Sequence, residues 1–131
     1  MCPCRPTECP HRDEQMINDS DVKGLQDFFL SGVLVGIGSL VLHFSGEAQI
    51  VVSCPFKIEG EQRVEFGHGE DPYTSPLLFK CLNDDVVGSS VDNGHNLRLN
   101  FRSGITMTIL PDRVGLESYV VCIGGQVIPV S

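Results

Sequence analysis

The stretch NLRLNFRSGITMTI, residues 96–109, decides the fold class of this chain. Apolar side chains alternate with polar ones on both sides of a turn at Gly104: Leu97, Leu99 and Phe101 before it, Ile105, Met107 and Ile109 after it. A period of two residues is typical of strands with one buried face, and a glycine between two such runs favours a hairpin. The stretch therefore predicts two paired antiparallel strands.

A looser version of this hairpin, SLVLHFSGEAQIVV, lies upstream at residues 39–52. Its turn contains Gly46, which we expect to adopt the positive φ that tight hairpins require. An apolar helix is predicted before each hairpin. The first has Asp19 or Ser20 as its cap and an apolar face of Val22, Leu25, Phe28 and Phe29; the second opens at Pro76 and carries Leu77, Leu78, Cys81 and Leu82. The repeated order predicts an internal duplication, with pseudo-repeats at about residues 20–66 and 75–131.

Further strands are indicated by alternating or β-branched runs along the rest of the chain: Val33, Val35 and Ile37; Phe56 and Ile58; Val64 and Phe66; Val86, Val87 and Val91; and residues 116–122 and 124–130. We expect an α+β fold that is mainly antiparallel β. About seven to nine strands would form a curved sheet, a sandwich or a partly open barrel carrying two short helices. Residues 16–131 are predicted to be a single globular domain, because a chain of this length can bury one core.

The first fifteen residues, MCPCRPTECPHRDEQ, have no hydrophobic period and are predicted to be a disordered tail rich in Cys and Pro. They hold a weak candidate metal site, whose soft ligands are Cys2, Cys4, Cys9 and His11. The spacing is not one of the common zinc patterns. A flexible tail, or read-through upstream of a start at Met16, is the alternative.

The composition is acidic, with 17 Asp and Glu against 9 Lys and Arg and a formal net charge of −8. Such a surface repels phosphate backbones, which argues against nucleic-acid binding and favours a basic protein partner. Solubility alone is the plainer explanation. No apolar run is long enough to span a bilayer and the N-terminus does not resemble an export signal, so we expect a cytoplasmic protein with buried thiols at Cys54, Cys81 and Cys122.

Residues 82–130 resemble a small bacterial domain family of unknown function. Its pattern is LxGxxV, LxLxFxDG, a PD turn, E-[SA]-[YW] and a late GG, and the corresponding residues here are 82–87, 97–104, 111–112, 117–119 and 124–125. Asp84 stands at the first Gly of the pattern and Ser103 at its Asp; residues 30–46 match more loosely. Members of this kind are similar to single-domain proteins found beside bacterial polymorphic toxins, so the resemblance implies an immunity role.

No catalytic constellation is recognisable in the sequence. Glu117 beside Tyr119 could act as a general base, but a carboxylate that pins a strand end is the commoner role for such a residue. His68 and His95 are expected in loops, and His43 outward on a strand. The pattern residues Glu117, Tyr119, Gly46 and Gly104 are therefore assigned structural roles, and no cofactor is expected.

The candidate partner-binding surface is an acidic segment with one tyrosine: Glu59, Glu61, Glu65, Glu70, Asp71 and Tyr73. An acidic face of this kind would meet a basic partner by electrostatic steering, and a tyrosine would be its anchor. The sequence thus predicts a non-enzymatic binding protein, an immunity-type inhibitor that covers a basic toxin, which could be a nuclease. The alternatives are a small enzyme that uses Glu117 or a loop histidine, and a structural subunit that associates through a strand edge.

Overall fold

The computed structural model describes residues 17–112 and 118–130, and within them ten strands and two short helical segments. The elements, in chain order, are α1 (Asp19–Val22) continued by a 3₁₀ turn (Lys23–Leu25), β1 (Leu30–Val35), β2 (Leu40–Phe44), β3 (Ala48–Val52), β4 (Pro55–Gly60), β5 (Arg63–His68), a long 3₁₀ helix (Pro72–Cys81), β6 (Val86–Val91), β7 (Leu97–Phe101), β8 (Thr106–Ile109), β9 (Tyr119–Ile123) and β10 (Gln126–Val130). The prediction of a mainly antiparallel β protein with two short helices is confirmed, although the strands exceed the expected seven to nine.

The strands form two antiparallel sheets of five, with one hydrophobic core that draws on both. The first sheet has the order β1-β2-β3-β9-β10, and the second has the order β5-β4-β8-β7-β6. Each sheet therefore combines three consecutive strands from one half of the chain with a hairpin from the other half. In the part of the chain that the structure describes, the sheets do not close into a barrel.

The inner faces follow the alternation seen in the sequence. In the first sheet, Leu42 is opposite Ile50, which is opposite Val121 on β9, and all three are fully buried. In the second sheet, Ile58 pairs with Met107, which pairs with Leu99. Burial of these side chains, at roughly 1.5–3 kcal/mol each, is the main force holding the sheets together.

The first helix is shorter than predicted. Asn18, instead of Asp19 or Ser20, caps it, and its side chain and that of Asp21 each accept a hydrogen bond from the other's backbone N–H. The helical segment ends at Leu25, since Gln26 is extended, and the Phe28 carbonyl accepts a hydrogen bond from the N–H of Val86 at the start of β6. Phe28 and Phe29 thus belong to the junction between β1 and β6.

The second helix also differs from the prediction. It begins at Pro72 with Asp71 as its cap, contains Pro76 in its interior, and ends before Leu82. Two prolines remove two backbone donors from ten residues, and the segment adopts 3₁₀ geometry instead of an α-helix. Ile37, predicted as a strand residue, lies fully exposed in the β1–β2 turn.

Gly46 is required for a different reason from the one expected. Its φ is not among the positive values, whereas Gly104 has φ +101° as a turn glycine would. A Cβ at Gly46 would lie 2.2 Å from Cζ of Phe28. The glycine therefore makes room for the Phe28 ring.

Candidate interaction surface

The six residues predicted to bind a partner lie on one hairpin and the segment that follows it. Glu59 is on β4, Glu61 is in the β4–β5 turn and Glu65 is in the middle of β5, whereas Glu70, Asp71 and Tyr73 follow the other end of β5. Six strand residues span about 20 Å, so the two acidic groups are separated by the length of β5. They do not form one compact acidic patch.

The long 3₁₀ helix positions Tyr73. Because a 3₁₀ helix has three residues per turn, side chains at i, i+3 and i+6 lie in one row. The row of Ser75, Leu78 and Cys81 is buried in the core. The row of Tyr73, Pro76 and Phe79 is exposed, with Tyr73 91% and Phe79 49% accessible. We call this second row the exposed ridge.

Strand β5 carries two exposed apolar side chains on its outward side. β5 is an edge strand of the second sheet, and the long 3₁₀ helix packs against it. Val64 and Phe66 point away from the core and are 52% and 64% accessible. Large exposed apolar side chains on a strand edge and on the adjacent helix are typical of a surface that contacts another molecule.

Glu65 points the opposite way from Val64 and Phe66. It is paired with buried Ile58 on the inner side of the sheet, and there its carboxylate accepts a hydrogen bond from Nζ of Lys80 on the long 3₁₀ helix. This hydrogen bond, with the charges of Lys80 and Arg63, holds the pKa of Glu65 below its ordinary value. Glu65 is thus engaged within the protein, and it fixes the helix to β5.

The remaining carboxylates lie near the two ends of β5. Glu61 and Glu70 are exposed and form no ion pair within the described part of the chain. Two hydrogen bonds hold the loop that contains Glu70. The Glu70 N–H donates to Nδ1 of His68 (3.1 Å), and Asp71 Oδ1 accepts from the N–H of Tyr73 (3.0 Å). We call Glu61, Glu70 and Asp71 the acidic rim. Glu59 lies 3.8 Å from Nζ of Lys57, so part of its charge is compensated.

An open groove of about 750 Å³ runs beside this surface, between the β4–β5 hairpin, Lys80 and the β7–β8 turn. Ile58 and Ile105 contribute apolar surface, and the charges of Glu61, Arg63, Glu65 and Lys80 balance one another. Neither His68 nor His95 lines it. Among the described residues, the groove therefore includes neither loop histidine of the enzyme hypothesis.

The thiols and histidines of the described residues have structural surroundings. Cys54 and Cys81 are buried, and burial raises the pKa of each thiol from 9.0 to about 12, so the reactive thiolate is scarce near neutral pH. His68 is the last residue of β5, and its Nδ1 accepts a hydrogen bond from the N–H of Glu70. His95 lies in the β6–β7 loop, where its carbonyl accepts a hydrogen bond from the Tyr119 hydroxyl (2.8 Å).

Tyr119 is buried, and burial raises its pKa. Its hydrogen bond joins β9 of the first sheet to a loop of the second, which is a structural role. Glu117 and the candidate ligands Cys2, Cys4, Cys9 and His11 lie outside the described residues. Within residues 17–112 and 118–130, no group of three His, Cys, Asp or Glu side chains could hold a metal ion. No helix among these residues has the length and apolar character needed to cross a membrane.

The exposed ridge was only partly foreseeable from the sequence. The sequence predicts Tyr73 as an anchor from its acidic neighbours, whereas it identifies Pro76 only as a helix start and does not identify Phe79. The spacing Tyr73-x-x-Pro76-x-x-Phe79 is the signal that could have identified them, given a 3₁₀ helix, but a helix expected to begin at Pro76 hides it.

Fold and surface together define a class: a two-sheet antiparallel β protein that presents exposed apolar side chains on an edge strand and on the 3₁₀ helix that follows it. Comparison of the chain with protein-family models, with curated proteins and with solved structures finds no match.

Proposed function

We propose that this protein is a non-enzymatic binding protein whose partner is a basic protein, and that it acts as an immunity-type inhibitor covering a basic toxin. The observation that carries the proposal is the exposed ridge of Tyr73, Pro76 and Phe79, with the carboxylates Glu70 and Asp71 at the start of its helix. An apolar centre rich in aromatic residues, with a polar border, is the usual anatomy of a protein interface.

Charge supports the choice of partner. The chain has a formal charge of −8, and Glu61 and Glu70, near opposite ends of β5, form no ion pair within the described structure. A basic protein approaching this side would be steered toward it, and its cations would pair with the rim around an apolar contact. A toxin that cuts nucleic acid has the required basic surface, since it must hold phosphates.

Tyr73 and Phe79 are the expected anchors. A tyrosine that is 91% exposed gains a large contact area when a partner covers it, and aromatic anchors at the centre of an interface commonly lose about 2 kcal/mol or more on truncation to alanine. That loss corresponds to roughly a 30-fold weaker Kd.

The test is affinity capture from the source cells followed by mass spectrometry and by binding measurements with the purified partner. Wild type is compared with Tyr73→Ala, Phe79→Ala and a matched control, Val87→Ala, which removes an exposed apolar side chain on β6, away from this surface. We expect wild type and the control to recover the same basic protein and to protect cells that express it, and the two aromatic variants to fail.

Salt and charge reversal test the electrostatic part. Added salt and the change Glu70→Lys should both slow association with the basic partner. If the captured protein is acidic, or if it binds the aromatic variants as tightly as wild type, this surface is not the binding site and the proposal is wrong.

The internal duplication expected from the sequence also stays a proposal. The matching strand orders β1-β2-β3-β9-β10 and β6-β7-β8-β4-β5 support it, as do the register irregularities just before Gly32 and Gly88 at equivalent points of the first hairpins. A relative that contains one half and assembles as a two-fold dimer with exchanged hairpins would strengthen it. Relatives whose halves have unrelated topologies would contradict it.

A further inference from the structure

His68 holds the loop between β5 and the long 3₁₀ helix with both its ring and its backbone. Nδ1 of the ring accepts a hydrogen bond from the N–H of Glu70 (3.1 Å). The N–H of His68 donates to Oγ1 of Thr74 (3.1 Å), and its carbonyl accepts from the N–H of Asp71 (2.9 Å). Asp71 in turn caps the helix by accepting from the N–H of Tyr73. One histidine therefore organises the start of the helix that carries the exposed ridge.

The bond to the ring exists only while the imidazole is neutral. A ring nitrogen that accepts a hydrogen bond carries no proton, so the ring proton of His68 is on Nε2. In the imidazolium both nitrogens are donors, and the proton on Nδ1 would oppose the N–H of Glu70. Imidazole changes charge between about pH 5 and 8, so acid within this range breaks the bond.

The loop and the helix around His68 contribute charges of both signs. The loop contains two exposed carboxylates, those of Glu70 and Asp71. The helix contributes the hydroxyl of Tyr73 and the ammonium of Lys80, which is engaged on the inner side of β5. An imidazolium at His68 would therefore find its counter-charge in the carboxylates of its own loop.

Strand β4 adds one cation to these surroundings. Pro55 is directly opposite His68, and Lys57 lies diagonally across on the same outward side, with its ammonium 3.8 Å from Glu59. The thiol of Cys54 is buried, and burial raises its pKa to about 12, so it stays neutral. Among all these groups, imidazole is the one whose ordinary titration lies between about pH 5 and 8.

We propose that His68 is a pH-sensitive switch: its neutral ring holds the N–H of Glu70, and its protonated ring releases that N–H and pairs with a carboxylate of the loop. The imidazolium changes the net charge of His68, Glu70 and Asp71 from −2 to −1. The backbone bonds to Thr74 and Asp71 do not depend on the charge of the ring, so the helix stays in place. Acid therefore weakens the acidic rim and leaves the fold unchanged.

The consequence for binding rests on the proposed function. A basic partner that is steered by the acidic rim should associate more slowly when His68 is protonated, because the charge that attracts it is smaller. The switch would thus tune the association rate through the loop that precedes the exposed ridge.

Solution NMR of the full chain, titrated from about pH 8 to about pH 5, tests the switch without any partner. We expect the backbone N–H signal of Glu70 to shift with the same midpoint as the ring protons of His68, because the N–H loses its acceptor when the ring is protonated. The N–H signal of Thr74, which donates to the carbonyl of Asp71, should change much less.

Two variants separate the ring of His68 from the other histidines. His68→Asn keeps an acceptor for the N–H two residues later, as in an Asx turn, and has no imidazole to titrate. The Glu70 signal should then stay constant over the same pH range. His95→Asn is the matched control, since residue 95 has φ +64°, which asparagine tolerates, and its carbonyl makes the bond to Tyr119. It should titrate like wild type.

Association rates with the captured basic partner, measured at both ends of the pH range, test the consequence for binding. We expect acid to slow wild type and His95→Asn several-fold more than His68→Asn. Equal slowing of all three would show that the switch does not act on binding.

The switch and the proposed function can fail separately. A Glu70 signal that does not shift, or that shifts equally in His68→Asn, overturns the switch whether or not a partner is found. Tight binding by the Tyr73→Ala and Phe79→Ala variants would refute the proposed function and leave the NMR result standing.

Discussion

Thr108 on β8 provides a sharp test of the packing described for the second sheet. It faces outward between Lys57 and Arg98 on the neighbouring strands, yet only 3% of it is accessible. Within the described residues its hydroxyl has no hydrogen-bond partner. A buried hydroxyl without a partner destabilises a folded protein by about 1–3 kcal/mol.

The substitution Thr108→Val removes the hydroxyl and preserves the shape of the side chain, so the packing around it should be retained. We expect the free energy of unfolding to increase by about 1–2 kcal/mol, since the desolvated oxygen is gone and valine favours strands. With an m-value of about 2 kcal/mol per molar urea, the unfolding midpoint should rise by roughly 0.5–1 M.

Thr106→Val is the matched control, two residues earlier on the same strand and the same face. Its hydroxyl does have a partner, Oδ1 of Asn100 at 3.2 Å. This change should therefore leave stability unchanged or lower it by up to about 1 kcal/mol. Urea unfolding of wild type and both variants, followed by circular dichroism, decides the matter. If Thr108→Val lowers the midpoint, the hydroxyl is hydrogen-bonded in solution and the reasoning is refuted.

Three further predictions concern the core. Gly46→Ala should lower the free energy of unfolding by about 1–3 kcal/mol, because its Cβ overlaps a phenyl ring, whereas Gly60→Ala has open space and should be close to neutral in the same urea assay. Tyr119→Phe should cost about 1 kcal/mol in thermal and urea unfolding through the lost inter-sheet hydrogen bond, and an unchanged midpoint would contradict its structural role. Cys54 and Cys81 have pKa values raised from 9.0 to about 12, so above pH 9 the unfolded chain releases thiol protons that the folded chain retains, and stability should fall as pH rises from 9 to 12. The variant with both cysteines changed to alanine should lose less stability over that pH range. A pH profile identical to that of wild type would contradict this explanation.

The strands of this fold could be predicted from the sequence because most of them bury one face. Residues 97–101 and 40–44 alternate so regularly that their hairpins were evident, and both are observed. The alternation fails for Ile37, because β1 ends at Val35 and Ile37 lies in the exposed turn that follows. It also gives no information on which strands pair between the halves, since β3 and β9 are about seventy residues apart.

The candidate site was predictable in composition but not in orientation. The acidic residues and Tyr73 do lie around one hairpin and its following helix, as local sequence proximity implies. That Glu65 points inward to Lys80 follows from the register of β5 against β4, which no local pattern reveals. The side chains of the exposed ridge line up only because a 3₁₀ helix has three residues per turn. A search for the α-helical period of 3.6 residues does not group them.

Because each half of the chain contributes a hairpin to the other half's sheet, strand pairing can hold the two halves together even where the chain between them is broken. A single cut in the loop after β5, near Glu70, would yield two pieces, each with three strands of one sheet and two of the other. Neither piece could complete a sheet alone, so the cut molecule should stay together through strand pairing. Two separately produced fragments, tagged with reporter halves, should therefore find each other and rebuild the whole protein.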